Sequence, residues 1–201
     1  MLLAINPEHP EPRKVRRAVE LLEAGEVNAY PTDTVSGLSC DLFNKKAIDR
    51  LHQIKQMPGT HQLSFICPDL ADIARYAIVD NQQYRLLKRL LPGPYTFIFE
   101  ATREVPKIVQ SKKKTVGIRV PNHEVVQALV RELGRPIIST TAAPSGSEPM
   151  IDPSEIDDEF RGLALVLDAG AGGSEPTTVV DLTGGQIVVV REGAGPIDEL
   201  T

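Results

Sequence analysis

Five stretches of this chain place chemically capable residues where strands end, the positions at which open α/β sheets hold ligands. Pro31-Thr32-Asp33-Thr34 follows an apolar run, and its hydroxyls and carboxylate suit either turn capping or contact with a ligand. Lys55 closes a helical pattern, where a cation either offsets the helix dipole or reaches an anion. Arg119 interrupts the apolar run Gly117–Pro121. A buried guanidinium costs several kcal/mol unless paired, so Arg119 demands an anion, either a protein carboxylate or a bound one. Ser139–Gly146 is a run of small and hydroxyl residues that lets backbone N–H groups approach a phosphate. Thr177 lies in Pro176–Asp181, and Arg191 ends an apolar strand pattern and offers a second anion contact. Together they describe a cleft lined by Lys and Arg that works on an anionic substrate such as a nucleotide.

Other chemistries lack their signatures. There is no GxxxxGK[ST] loop, and the glycines of Gly170–Gly173 have neither the spacing nor the strand-to-helix setting of a dinucleotide fingerprint. His9, His52, His61 and His123 form no HExxH pair, and Cys40 and Cys67 form no CxxC, so no metal site is expected. Asp33, Lys55 and the serines show no hydrolase triad or nucleophile elbow.

The elements that must position these residues can be read from periodicity. Arg13–Ala24 carries Val15, Ala18, Val19 and Leu22 on one helical stripe and stops at Gly25. A strand over Val27–Tyr30 ends at Pro31, and Asn44 caps a helix that turns Ala47, Ile48, Leu51 and Ile54 inward until Pro58-Gly59. Leu63–Cys67 reads as a buried strand, Leu70–Tyr76 and Gln82–Leu91 as helices, and Tyr95–Glu100 and Thr115–Val120 as strands. Asn122 is the expected cap of a helix through Val130 that closes at Gly134; Pro136–Ser139 is then a strand leading into a loop over Thr140–Gly146. Val179–Thr183 and Gln186–Arg191 flank Gly184-Gly185, the pattern of a tight hairpin. Strands alternating with helices, then a hairpin, give an α/β fold with a mixed sheet. At 201 residues, 41% apolar and 24% charged, the chain can bury a core, and 4% aromatics makes that core aliphatic. A net charge of −5 argues against broad nucleic-acid binding without excluding a local basic patch. Two cysteines make no disulfide framework; the absence of a signal pattern or a membrane-length apolar stretch leads to an expected cytoplasmic location.

In their order, YPTDTVSGL (30–38), IKQMP (54–58), LPGPYTFIF (91–99), IRVP (118–121), ISTTAAPSG (138–146), PTTVVDL (176–182) and VVREG (189–193) resemble the YrdC/YciO family. The resemblance covers nearly the whole chain and implies one YrdC-like domain over 1–201, without the extra C-terminal domain of longer relatives. It implies a twisted mixed sheet with flanking helices around a large, concave, basic cleft. The implied activity is that of an L-threonylcarbamoyladenylate synthase, a nucleotidyltransferase. It converts L-threonine, bicarbonate and ATP to threonylcarbamoyl-AMP and pyrophosphate for the t6A modification of tRNA. By resemblance Thr32 and His61 face the threonine, Arg119 holds its carboxylate, and Thr177 sits near the substrate junction. Lys55, Ser139, Thr141 and Arg191 line the ATP side, Lys55 and Arg119 are the catalytic pair, and Mg²⁺ arrives with the triphosphate.

Three positions depart from the synthase pattern. KxR is Lys55-Gln56-Met57, SxN is Thr141-Ala142-Ala143, and the Tyr of TVYGL is Ser36, which places the chain nearest the YciO branch. The competing expectation is a tRNA- or double-stranded-RNA-binding paralogue without catalysis, supported by Lys112-Lys113-Lys114 beside Lys107 and Arg103.

Overall fold

The computed structural model describes residues 1–56 and 63–200. In chain order the elements are β1 (Leu2–Ala4), α1 (Pro12–Glu23), β2 (Asn28–Tyr30), β3 (Gly37–Asp41), α2 (Lys45–Lys55), β4 (Ser64–Ile66), α3 (Leu70–Tyr76) and α4 (Asn81–Leu90). They continue with β5 (Tyr95–Glu100), β6 (Thr115–Arg119), α5 (Glu124–Leu133), β7 (Ile137–Thr141), α6 (Pro153–Glu159), β8 (Leu165–Asp168), β9 (Thr178–Asp181) and β10 (Val188–Arg191). The strands form one twisted sheet in the order β1-β8-β2-β3-β7-β4-β6-β5-β9-β10. It is mixed: β1–β8, β2–β8, β4–β6 and β5–β9 run parallel, and the remaining neighbours antiparallel. No helix among the described residues is long and apolar enough to cross a membrane.

Successive strand residues point to opposite faces, and the core divides accordingly. Tyr30, Ile66, Ile137, Leu165 and Leu167 pack with Val15, Val19 and Leu22 of α1 and Val126, Leu129 and Val130 of α5. Their alternates Ala29, Phe65, Ile138 and Val166 join a second, larger cluster with Ile48 and Leu51 of α2, Ile73 of α3 and Leu87 of α4. Moving along β4 and β7 from Ile66 and Ile137, the next residues on the α1–α5 face are Ser64 and Ser139, cross-strand neighbours, with Gly117 of β6 beside Ser64. The same sheet face therefore changes from a helix-covered apolar surface to an open floor of small and hydroxyl residues.

Local chemistry explains most boundaries. The Asn44 side chain accepts the Ala47 N–H at 3.1 Å, capping α2, and Gln56 ends that helix in the left-handed region at φ 52°. Pro58-Gly59, the expected stop, lies outside the described residues. Asn122 is not the cap of α5; His123 is, its Nδ1 accepting the Val125 N–H at 3.3 Å. Asn122 instead donates its backbone N–H to Asp33 Oδ2 at 2.9 Å. The expected loop over Thr140–Gly146 begins two residues late, because Thr140 and Thr141 pair with Leu38 and Gly37 and prolong β7. The terminal pairing is antiparallel as expected, but its connection is longer than Gly184-Gly185. The Asp181 carboxylate accepts from the Thr183 N–H (2.8 Å) and hydroxyl (2.6 Å), drawing the chain into a turn in which Gly184 and Gly185 both take φ 76°.

Candidate functional site

A cleft of about 300 Å³ opens over this small-residue floor. Five of the candidate site residues line it: Arg119 of β6, Ser139 and Thr141 of β7, Thr177 just before β9, and Arg191 of β10. No carboxylate lines it among the described residues.

Arg119 is buried, and the anion that its burial demands is supplied by the protein. Its Nη2 donates to Asp33 Oδ1 at 3.1 Å, to the Thr34 hydroxyl at 2.9 Å and to the Thr32 hydroxyl at 3.5 Å. The Asp33 side chain is itself only 11% exposed. Of the two partners left open for Arg119, the protein carboxylate is thus present. The guanidinium is not fully used, since its Nε is buried without a partner among the described residues. Burial pulls Arg119 below its ordinary pKa, and the Asp33 charge and hydrogen bond pull it back up. Thr32, buried, reaches the site through Arg119 and also donates its hydroxyl to the Val35 carbonyl at 2.8 Å.

Arg191 is held differently. Its Nε and Nη2 donate to the Thr177 carbonyl at 3.2 and 2.8 Å, and Nη2 also to the Thr177 hydroxyl at 3.2 Å. Burial, and then the charge of Arg119, lowers its pKa. Two guanidiniums thus sense each other across the cleft, an arrangement that an incoming anion relieves.

Lys55 is placed behind the wall. It is buried, donates from Nζ to the Thr141 carbonyl, and lies 5.9 Å from the centre of the Phe160 ring. Burial without a carboxylate lowers its pKa to about 8. His61 and Met57 lie outside the described residues.

Sequence reasoning passed over several contributors. Tyr30 bonds Ser139 hydroxyl to hydroxyl at 2.5 Å, with its own pKa pushed up to about 12 by burial. Thr96 holds the Thr177 hydroxyl at 2.9 Å and lines the cleft, as do Ser64 and Gly117. Thr96 could have been found from the alternation of Tyr95–Glu100, which sets Thr96 and Ile98 against Tyr95, Phe97 and Phe99; Ser64 and Gly117 become meaningful only through strand pairing. No pair of nucleophile and base stands in the described cleft. What it can do is orient anions and hydroxyl-bearing groups and stabilise negative charge.

A mixed sheet with helices on both faces, and two guanidiniums gathered where one face is left open, defines an α/β domain with a candidate anion site. The family model for Sua5/YciO/YrdC, described as telomere recombination, matches residues 20–193, and the chain belongs to that family. It is 42% identical over 196 residues to "Uncharacterized protein YciO" of Escherichia coli (strain K12), covering 96% of this chain and 95% of that one. The crystal structure of E. coli YciO superposes with a TM-score of 0.95 at 40% identity, covering 100% of this chain and 99% of that one. A Bos taurus protein named threonylcarbamoyl-AMP synthase is 35% identical over 199 residues, covering 94% of this chain and 72% of its own. The crystal structure of P. abyssi Sua5 complexed with L-threonine superposes with a TM-score of 0.93 at 27% identity, over 100% of this chain and 59% of that one.

Proposed function

We propose that this chain is an L-threonylcarbamoyladenylate synthase-like enzyme acting on L-threonine, bicarbonate and ATP. The carrying observation is that Arg119 and Arg191 share one cleft with no carboxylate among its described lining residues. The family relatives named threonylcarbamoyl-AMP synthase, and the Sua5 neighbour complexed with L-threonine, support the choice of substrate. In this reading the threonine amine adds to bicarbonate with loss of water, giving a carbamate. A carbamate oxygen then forms a bond to the α-phosphorus, the bond to the β-phosphate bridge breaks, and pyrophosphate leaves.

The residues position and neutralise rather than react covalently. Arg119, oriented by Thr32, Asp33 and Thr34, takes the amino-acid carboxylate; Arg191, Ser139 and Thr141 take the nucleotide, and Thr177 stands between the two. Lys55 supports the Thr141 backbone and adds positive potential from behind it. Magnesium enters bound to the triphosphate, as part of the substrate; no group of three His, Cys, Asp or Glu among the described residues gathers to hold one. With Met57 and Ala143 where the synthase pattern carries Arg and Asn, two polar contacts are lost. Each is worth about 2–4 kcal/mol, or on the order of 30- to 1,000-fold in rate, so a slow reaction is expected.

The test is pyrophosphate release. It should require all three substrates together and fall to background in a Lys55→Ala/Arg119→Ala double variant. Equal release by the double variant would remove the reading.

A second reading, binding of structured RNA, is favoured by the exposure of Arg103, Lys107, Lys112, Lys113 and Lys114 next to Ser111 and Thr115, which line the cleft. Phosphate contacts by these five would make affinity fall steeply with salt, and a flat dependence would count against RNA.

A further inference from the structure

The two guanidiniums of the cleft are not equivalent. Arg119 sits against the largely covered carboxylate of Asp33, whose second oxygen is fixed by the Asn122 N–H at 2.9 Å, so the carboxylate is tied at both ends. Arg191 is held by the carbonyl and hydroxyl of Thr177 and has no carboxylate partner among the described residues. Its pKa is lowered by burial and by Arg119, with no acidic group pulling it back. The Arg119–Asp33 pair thus carries no net formal charge, whereas Arg191 brings one positive charge without a carboxylate beside it among the described residues.

We propose that Asp33 is a specificity-determining residue: by neutralising Arg119 and leaving Arg191 uncompensated, it directs the polyanionic ligand to Arg191 and reserves Arg119 for a net-neutral, zwitterionic amino acid. A polyphosphate approaching Arg119 also meets the charge of the Asp33 carboxylate, 3.1 Å from Nη2, and that repulsion offsets part of the attraction. A zwitterion carries its own ammonium, feels no net repulsion from Asp33, and still finds the Arg119 guanidinium lining the cleft. The inference rests on the amino-acid-plus-nucleotide reading of the site, but its central measurement uses neither catalysis nor ATP.

The probe is inorganic pyrophosphate, titrated calorimetrically without magnesium. The Asp33→Asn variant keeps the size and loses the charge, at the cost of one of the two acceptors that Arg119 and Asn122 use. It should bind pyrophosphate at least about ten-fold more tightly, and L-threonine should then compete with pyrophosphate, which it should not do in the natural chain. The Asp33→Glu variant, charge retained, should behave as the natural chain does. If Asp33→Asn does not fold, Arg191→Gln decides: pyrophosphate binding should drop by at least about ten-fold. The proposal is overturned if Asp33→Asn binds pyrophosphate within about two-fold of the natural chain, if Arg191→Gln retains binding, or if the natural chain binds none at millimolar concentration. Should the natural chain bind pyrophosphate yet release none from threonine, bicarbonate and ATP, the synthase reading fails. The role of Asp33 in sorting anions is then still judged by the variants.

Discussion

At the scale of single residues, the cleft depends on contacts too close to allow extra atoms. Gly37 pairs with Thr141 in the sheet, and a Cβ built there would lie 2.9 Å from the Tyr30 ring and hydroxyl and 3.0 Å from Ser139 Oγ. Tyr30 is 1% exposed and packed in the core, so it cannot swing away. Gly37→Ala should destabilise by about 1–3 kcal/mol through overpacking and displace Ser139 from the cleft floor. Denaturant melts together with nucleotide titration check both effects. A variant that is as stable as the natural chain and binds nucleotide equally would show that this wall has slack. Arg119 illustrates how far residue types can be read without coordinates. A guanidinium in an apolar strand announces that it needs an anion, but Asp33 and Arg119 are 86 positions apart and only folding says which anion it is. Thr96 is legible only in part: alternation sets it on the face opposite Tyr95 and Phe97, but that its hydroxyl holds Thr177 is told by the fold alone.

Among the elements, those with strong periodicity or capping chemistry were legible, and those defined by their neighbours were not. The apolar stripes of α1, α2 and α5 run along the expected faces. β3 reads Gly-Leu-Ser-Cys-Asp, a poor strand by propensity, and exists because β2 and β7 pair with it on either side. β1 is three residues long, too short for any period, and β8 was passed over although Leu163–Leu167 is an apolar run between glycines. α6 had a readable start in Asp152-Pro153-Ser154, where the Asp152 carboxylate accepts the Ser154 N–H. The cap of α5 has a consequence in pH. His123 accepts the Val125 N–H through Nδ1, which requires the neutral ring, and burial lowers its pKa although Asp33 and Glu124 pull it upward. A histidine with a depressed folded-state pKa contributes fully above its unfolded value of about 6.5, and that contribution is lost as the pH falls through 6.5 and the folded-state value. His123→Asn keeps a capping side chain that does not titrate. The natural chain should therefore lose about 1 kcal/mol relative to this variant between about pH 7.5 and pH 5, read from paired melts. Parallel stability curves would mean that the cap is not the titrating contact.

Across the whole molecule, one sheet separates two apolar layers, and its mixed α/β character was readable from the alternation of strand and helix patterns. The order of the strands was not, because pairs such as β1–β8 and β5–β9 join residues far apart in the chain. That arrangement predicts how the molecule opens. Cys40 lies in β3 near the middle of the sheet and Cys67 just beyond β4, where its N–H donates to the Arg119 carbonyl at 2.9 Å. Both are 0% exposed and belong to the same core cluster. Burial raises the pKa of both thiols, with Asp41 adding to the effect at Cys40 and Asp72 and Asp69 at Cys67. The reactive thiolate is therefore scarce in the folded state as well as shielded. Neither thiol can be reached by fraying an edge strand, since β3, β7 and β4 lie inside the sheet order. A disulfide-exchange reagent should accordingly label both at one common rate that tracks global unfolding and rises in step with denaturant. Fast labelling of Cys67 alone, with Cys40 protected, would mean that the β4–β6 part of the sheet, which carries Arg119, opens independently of the rest.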